Sequence, residues 1–134
     1  MTPPLPIRRL QHIAVSAADS DKSRDFYRDV LGFREVERPP FDFRGAWLVA
    51  YGIQMHVIER SAANQQDVGA IDTRANHLAF EVDDPTTIVE ILQAHAIPFI
   101  QRVNAGGIHQ TFFHDPDGNP IEVAVYPADP PFLP

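Results

Sequence analysis

The chain of 134 residues, 44% hydrophobic and 10% aromatic, has the composition of a soluble globular protein and a length suited to one domain with its own core. Its formal charge of −7 offers no basic patch to neutralise phosphates, which argues against nucleic acid and acidic membranes as partners. With no cysteine there is no disulfide framework and no thiolate zinc site, so any metal must be held by nitrogen and oxygen ligands.

No apolar run approaches the roughly 18 residues of a membrane span, and the start MTPPLPIRRL lacks the apolar centre of a signal peptide. A cytoplasmic location and a small-molecule substrate are the expectations. In chain order, HIAV at 12–15 reads as a strand in which Ile13 and Val15 alternate with His12 and Ala14. DSDKSRDFYRDVLG then reads as a helix, with Asp19 or Ser20 as its cap, Phe26, Tyr27, Val30 and Leu31 on one apolar face, and Gly32 as the stop. Three strands follow at 34–38, 46–50 and 53–59, punctuated by Pro39, Pro40 and Gly52.

After a polar linker the same order returns. A strand in NHLAFEV leads to a helix opened by Asp84 and Pro85, with Ile88, Ile91, Leu92 and His95 at the spacing of one face. Strands are expected at 98–102, 109–113 and 120–126. His12, Ala14 and Asp19 match His77, Ala79 and Asp84 at one fixed offset, and Gly52 and His56 match Gly118 and Glu122 at an offset one residue longer. One inserted loop residue accounts for the step, and the chain reads as a duplicated βαβββ unit. Its parts are a first module at 7–60, a linker at 61–74, a second module at 75–126 and a Pro-rich tail at 127–134.

Strand alternation divides the residues of each unit between two faces. Ile13 and Val15 oppose His12 and Ala14, while Leu78, Phe80 and Val82 oppose His77 and Ala79. In the closing strands Met55 and Val57 oppose His56, and Ile121, Val123 and Val125 oppose Glu122. Two units paired so that their sheets curl around a common groove would bring His12, His56, His77 and Glu122 together, with Ala14 and Ala79 leaving room beside them.

The stretches QHIAV, SRDFYRDVLGF, GAWL, IQMHVIE, NHLAFEV and FFHDPDGNPIEV resemble the vicinal oxygen chelate superfamily, which includes glyoxalase I, methylmalonyl-CoA epimerase, extradiol dioxygenases, fosfomycin-resistance enzymes and bleomycin-resistance proteins. The resemblance runs over about residues 7–126, and DPDGNPIE is its most specific part. It implies an α+β fold of two βαβββ modules forming a curled mixed-sheet half-barrel, and a homodimer in which the modules pair within one chain or by exchange between two. It implies metal ligands at His12, His77 and Glu122, with a fourth ligand position at His56, and one divalent ion such as Zn, Ni, Mn or Fe. At His56 the family carries glutamate in glyoxalases and glutamine in epimerases, so this histidine departs from both patterns.

The activity so implied is that of a glyoxalase-like lyase or isomerase. It would act on a small α-hydroxycarbonyl or ketoaldehyde-derived substrate by metal-stabilised enediolate chemistry, with Glu122 as the base. An extradiol-type Fe(II) dioxygenase using His12, His77 and Glu122 is an alternative, as is a ligand-binding protein of the bleomycin-resistance kind without catalysis. A fosfomycin-type thiol transferase would use the same three residues. Trp47, Phe43 and Phe113 are candidates either for lining a substrate pocket or for packing the core. His95 is read as meeting the carbonyls at a helix end, and His114, Asp115 and Asp117 as belonging to a turn. His109 is assigned to a solvent-facing edge, and Glu59 alternates away from His56.

Overall fold

The computed structural model describes residues 1–60 and 69–129; residues 61–68 of the expected linker and 130–134 of the tail lie outside the described residues. The first module runs β1 (Ile13–Ala17), α1 (Ser20–Asp29), β2 (Arg34–Val36), β3 (Gly45–Ala50) and β4 (Ile53–Glu59). The second repeats that order as β5 (Leu78–Glu81), α2 (Pro85–Ala94), β6 (Phe99–Val103), β7 (His109–His114) and β8 (Pro120–Ala124). Each module forms its own four-stranded mixed sheet, ordered β1-β4-β3-β2 and β5-β8-β7-β6, with the outer pairs β1·β4 and β5·β8 parallel and the rest antiparallel. The α+β fold of two βαβββ modules is therefore present, as two separate four-stranded sheets among the described residues. Among those residues no helix is long and apolar enough to cross a membrane.

Local chemistry explains where the elements begin and end. Asp19 caps α1 by accepting the backbone N–H groups of Asp21 and Lys22, and Asp84 caps α2 through Thr86, with Pro85 in the first turn. β3 and β4 are joined by Tyr51 and Gly52, both with positive φ (53° and 74°), as a two-residue hairpin turn needs. Tyr51 is an unusual side chain there, and its hydroxyl is tied to Leu31 O. Gly45 opens β3 because a Cβ at that point would run into Val57 O on the neighbouring strand. β2 ends at Val36, two residues short of the expected boundary, because Pro39 and Pro40 and the loop after them leave no partner for Glu37 and Arg38. β8 likewise stops at Ala124, where its partner strand runs out at Gln110.

The core lies between the modules. From the first sheet come Ala46, Leu48, Met55 and Val57; from the second come Phe113, Ile121 and Val123; α1 contributes Tyr27, which is fully buried. Phe26 of α1 packs against Phe113, and Phe33 against Phe80. Burying these side chains is the main stabilising term, at about 25 cal/mol per Å² of apolar surface removed from water.

Polar contacts hold the turn of Asp115–Gly118 to α1. The Tyr27 hydroxyl donates to Asp115 Oδ2 at 2.7 Å, Ser23 Oγ donates to Asp117 Oδ2 at 2.9 Å, and the Ala18 N–H donates to Asp117 Oδ1 at 2.9 Å. Burial, reinforced by the Asp115 charge, pushes the Tyr27 phenol well above its ordinary range, so it remains a donor. Glu59 faces this side as well, accepting from the N–H and hydroxyl of Ser20 at the start of α1.

Two outcomes are expected from these contacts. Tyr27→Phe removes a hydrogen bond to a buried carboxylate and should lower stability by about 1.5–3 kcal/mol, read as a lower urea midpoint at unchanged slope; an unchanged midpoint would contradict the contact's importance. The Asp84 carboxylate is held below its ordinary range, first by the Thr86 backbone N–H and then by the Thr87 hydroxyl. A depressed folded value means this stabilisation is full above the unfolded carboxylate's value of about 3.9 and fades as pH falls through the lower folded value. The stability gap between the parent and Asp84→Ala should be open near about pH 6 and close near about pH 2; a gap that ignores pH would contradict it.

Candidate metal centre

His12 and His77 stand one residue ahead of β1 and β5, the parallel edge strands of their sheets. Their positions follow from the duplication. In the first sheet His56 is opposite Ala14 on β1 and Trp47 on β3, so all three share the face turned away from Met55 and Val57. In the second, Glu122 is opposite Ala79 on β5 and Phe112 on β7, turned away from Ile121 and Val123.

The four candidates form two pairs. The rings of His12 and His56 stack at 4.1 Å between centroids, with 14° between planes. His77 Nε2 lies 3.5 Å from Glu122 Oε2. Among the described residues no three His, Asp or Glu side chains come together to hold a metal ion. The reason is the shared core: both sheets turn their aliphatic faces towards it, so alternation sends the candidate residues of each sheet to its other face. The candidate residues therefore stand as two separate pairs among the described residues.

Each half is arranged in a way that suits a cation. His77 Nδ1 is 2.8 Å from Ala75 O, an atom that only accepts, so Nδ1 carries a proton and Nε2 is the ring nitrogen turned to Glu122. His12 Nδ1 is likewise engaged, with Gln11 Oε1 at 2.6 Å, which leaves Nε2 free. Partners of this kind fix the tautomer and aim of metal-binding imidazoles. Glu122 is 4% exposed, and its two oxygens accept from Gln110 Nε2 and, at 2.6 Å, from the Tyr126 hydroxyl. Beside it Gln110 Oε1 is buried without a hydrogen-bond partner among the described residues. A buried carboxylate, an imidazole nitrogen and an unmatched amide oxygen form a donor set into which a cation would fit. Nitrogen and oxygen donors of this type suit Zn, Ni, Mn or Fe.

His56 is held differently. Its ring is sandwiched between His12 and Trp47, the latter at 4.3 Å and 6°, and its Nε2 has only a long contact of 3.4 Å to Gln54 Oε1. Burial foremost, then the charges of His12 and Arg38, hold this imidazole below its ordinary pKa and favour the neutral ring.

Other side chains sort out by location. Phe113 is 1% exposed within the core, on the face opposite Glu122, and it is Phe112 that meets His77, edge to face at 5.7 Å. Trp47 is half-buried on the His56 face. His95 caps α2, its backbone N–H reaching Ile91 O. The supporting group at Glu122 escaped the sequence reading. Tyr126 lies four residues beyond Glu122, in phase with it though past the end of β8, whereas Gln110 is placed by the β7–β8 register alone.

Residues 9–123 match the family model described as the Glyoxalase/Bleomycin resistance protein/Dioxygenase superfamily. A protein named glyoxylase I 4 from Arabidopsis thaliana is 35% identical over 125 residues, covering 90% of this chain and 72% of its own length. A lactoylglutathione lyase from Pseudomonas putida is 29% identical over 141 residues, covering 84% of this chain and 82% of its own. The crystal structure of a genomically encoded fosfomycin resistance protein from Listeria monocytogenes superposes with a TM-score of 0.77 at 18% identity, over 90% of this chain and 93% of that one, a likeness of fold. With a family match across most of its length and two modules of the same element order, this chain belongs to the Glyoxalase/Bleomycin resistance protein/Dioxygenase superfamily.

Proposed function

We propose that the protein is a metal-dependent, glyoxalase-like lyase or isomerase acting on a small α-hydroxycarbonyl or ketoaldehyde-derived substrate. Its site would form across a homodimer, with His12 and His56 from one subunit and His77 and Glu122 from the other. The observation that carries this reading is the geometry at Glu122: a buried carboxylate 3.5 Å from the Nε2 of an imidazole whose Nδ1 is already engaged by a carbonyl, so that both groups are aimed at one place. A divalent ion bound there would polarise the substrate carbonyl and stabilise the negative charge that develops on the substrate oxygens as the adjacent C–H loses its proton.

The protein's own groups supply the rest. Glu122 is the carboxylate available to take that proton and return it at the neighbouring carbon. The Tyr126 hydroxyl, kept protonated by burial and by its bond to Glu122, and the Gln110 amide set the carboxylate's orientation. His77 is aimed by the Ala75 carbonyl and His12 by Gln11. Low exposure at Glu122, at Phe112 (1%) and at Ala124 (0%) keeps bulk water from the acid group. The relatives from Arabidopsis thaliana and Pseudomonas putida, by their names, support the glyoxalase class.

The stacking of His56 between two rings favours one further reading. If His56 stays out of the ligand set, His12, His77 and Glu122 form the two-histidine, one-carboxylate group of Fe(II) oxygenases. Oxygen uptake with Fe(II) and a catechol would select that reading over proton transfer.

Protein purified without chelator should hold about one divalent ion per chain, and His77→Ala should weaken metal affinity by about 100-fold or more, measured by elemental analysis and competition titration. Equal metal content in parent and variant would contradict the proposal. Tyr126→Phe should keep the ion but lower affinity by about tenfold, as loss of an orienting partner does.

A further inference from the structure

The outward face of the first sheet carries a series of rings that metal binding does not require. His12, His56 and Trp47 form a parallel stack, and Trp47 is followed by Phe41 at 6.2 Å and 49°, then by Phe43 stacked on Phe41 at 5.2 Å and 16°. The Arg38 guanidinium lies 4.9 Å from the centroids of both phenyl rings and donates to Phe43 O at 2.7 Å, fixing the pair in place. Phe41 and Phe43 are 46% and 43% exposed and lie in the loop between β2 and β3.

Core packing does not account for these residues. Leu48, Met55 and Val57 turn to the core, whereas Trp47 and His56 turn the other way. A stack of parallel rings standing on a sheet presents its edges, which are electropositive, and edges of this kind attract the electron-rich face of another ring. The series breaks its parallel order at the 49° step between Trp47 and Phe41, so the faces of these two rings diverge there. Only Trp47 stands between that step and the imidazole of His56, so a ring placed there is close to whatever His56 and His12 hold.

We propose that Trp47, Phe41 and Phe43 bind an aromatic ring carried by the substrate, which makes the substrate an aryl-substituted α-hydroxycarbonyl compound. The inference deepens the proposed reading of His12 and His56, since the ring subsite adjoins the place where that reading puts the substrate's oxygens. The half-exposed phenyl rings gain buried area when the ligand ring covers them, and an alkyl group of one carbon leaves them wet.

Trp47 is the only tryptophan, so its emission reports on this place alone. The test is fluorescence titration with mandelate and with lactate, which share the α-hydroxycarboxylate and differ by phenyl against methyl, each with and without Zn(II). Mandelate should quench Trp47 at a concentration about tenfold lower than lactate, the discrimination expected for burying one ring. Phe41→Ala, a change at a half-exposed loop residue, should remove most of that preference while leaving the thermal midpoint in place. Should Zn(II) change neither titration while the phenyl preference persists, the metal reading fails and the ring subsite stands. Equal affinities, quenching by neither acid, or a preference indifferent to Phe41→Ala would overturn the inference, even with Zn(II) bound.

Discussion

A carboxylate with 3% of its surface in water must be matched by donors, and Asp115 has four: the backbone N–H groups of Asp117 and Asn119, the Asn119 side-chain amide and the Tyr27 hydroxyl. Three of these build the turn that leads into β8; the fourth comes from α1 in the other module. Asp117 adds two more bonds from the first module, one of them to the backbone at the entry to α1. This fixes α1 against the β7–β8 hairpin and places the joint core between the two sheets. Burial of aliphatic side chains supplies most of the favourable free energy, while the Asp115 and Asp117 bonds decide the geometry in which it is obtained.

From that geometry the division of the candidate site follows. When both sheets face one core, strand alternation puts the residues out of phase with its aliphatics on the other face of each sheet, and among the described residues the two candidate pairs do not meet. The cluster is thus cut into an imidazole pair beside an aromatic row and an imidazole–carboxylate pair with its own supporting bonds. Each half is ordered before anything binds. Preorganised ligands lose less entropy on binding an ion, which is why the hydrogen bonds that hold Glu122 and His77 in place bear on the proposed function.

Much of this was legible from residue order. The duplication, the two faces of β1, β4, β5 and β8, and the capping roles of Asp19 and Asp84 all follow from periodicity and turn chemistry, and the structure contains each of these elements. Strand ends were less legible because they depend on when the partner strand stops, as at Val36 and Ala124. Asp117 illustrates a deeper limit. An aspartate in DPDG normally bonds its own turn, and nothing local announces that its carboxylate reaches Ala18 and Ser23. The same holds for Phe113 and Phe112, adjacent residues of one type, whose places in the core and beside His77 depend on register alone. The separation of the half-sites could not be read either, since alternation tells which residues share a face but not which faces look at each other.

In the proposed function, two copies of the chain together complete one site from complementary halves. Its most direct test mixes two variants, one carrying His12→Ala and His56→Ala, the other His77→Ala and Glu122→Gln, by unfolding and refolding them together with Zn(II). Neither variant alone should retain a tightly held ion, whereas the mixture should regain about one ion per mixed dimer, because one of its two sites receives an intact half from each chain. A mixture that binds no more metal than the separate variants would contradict the claim.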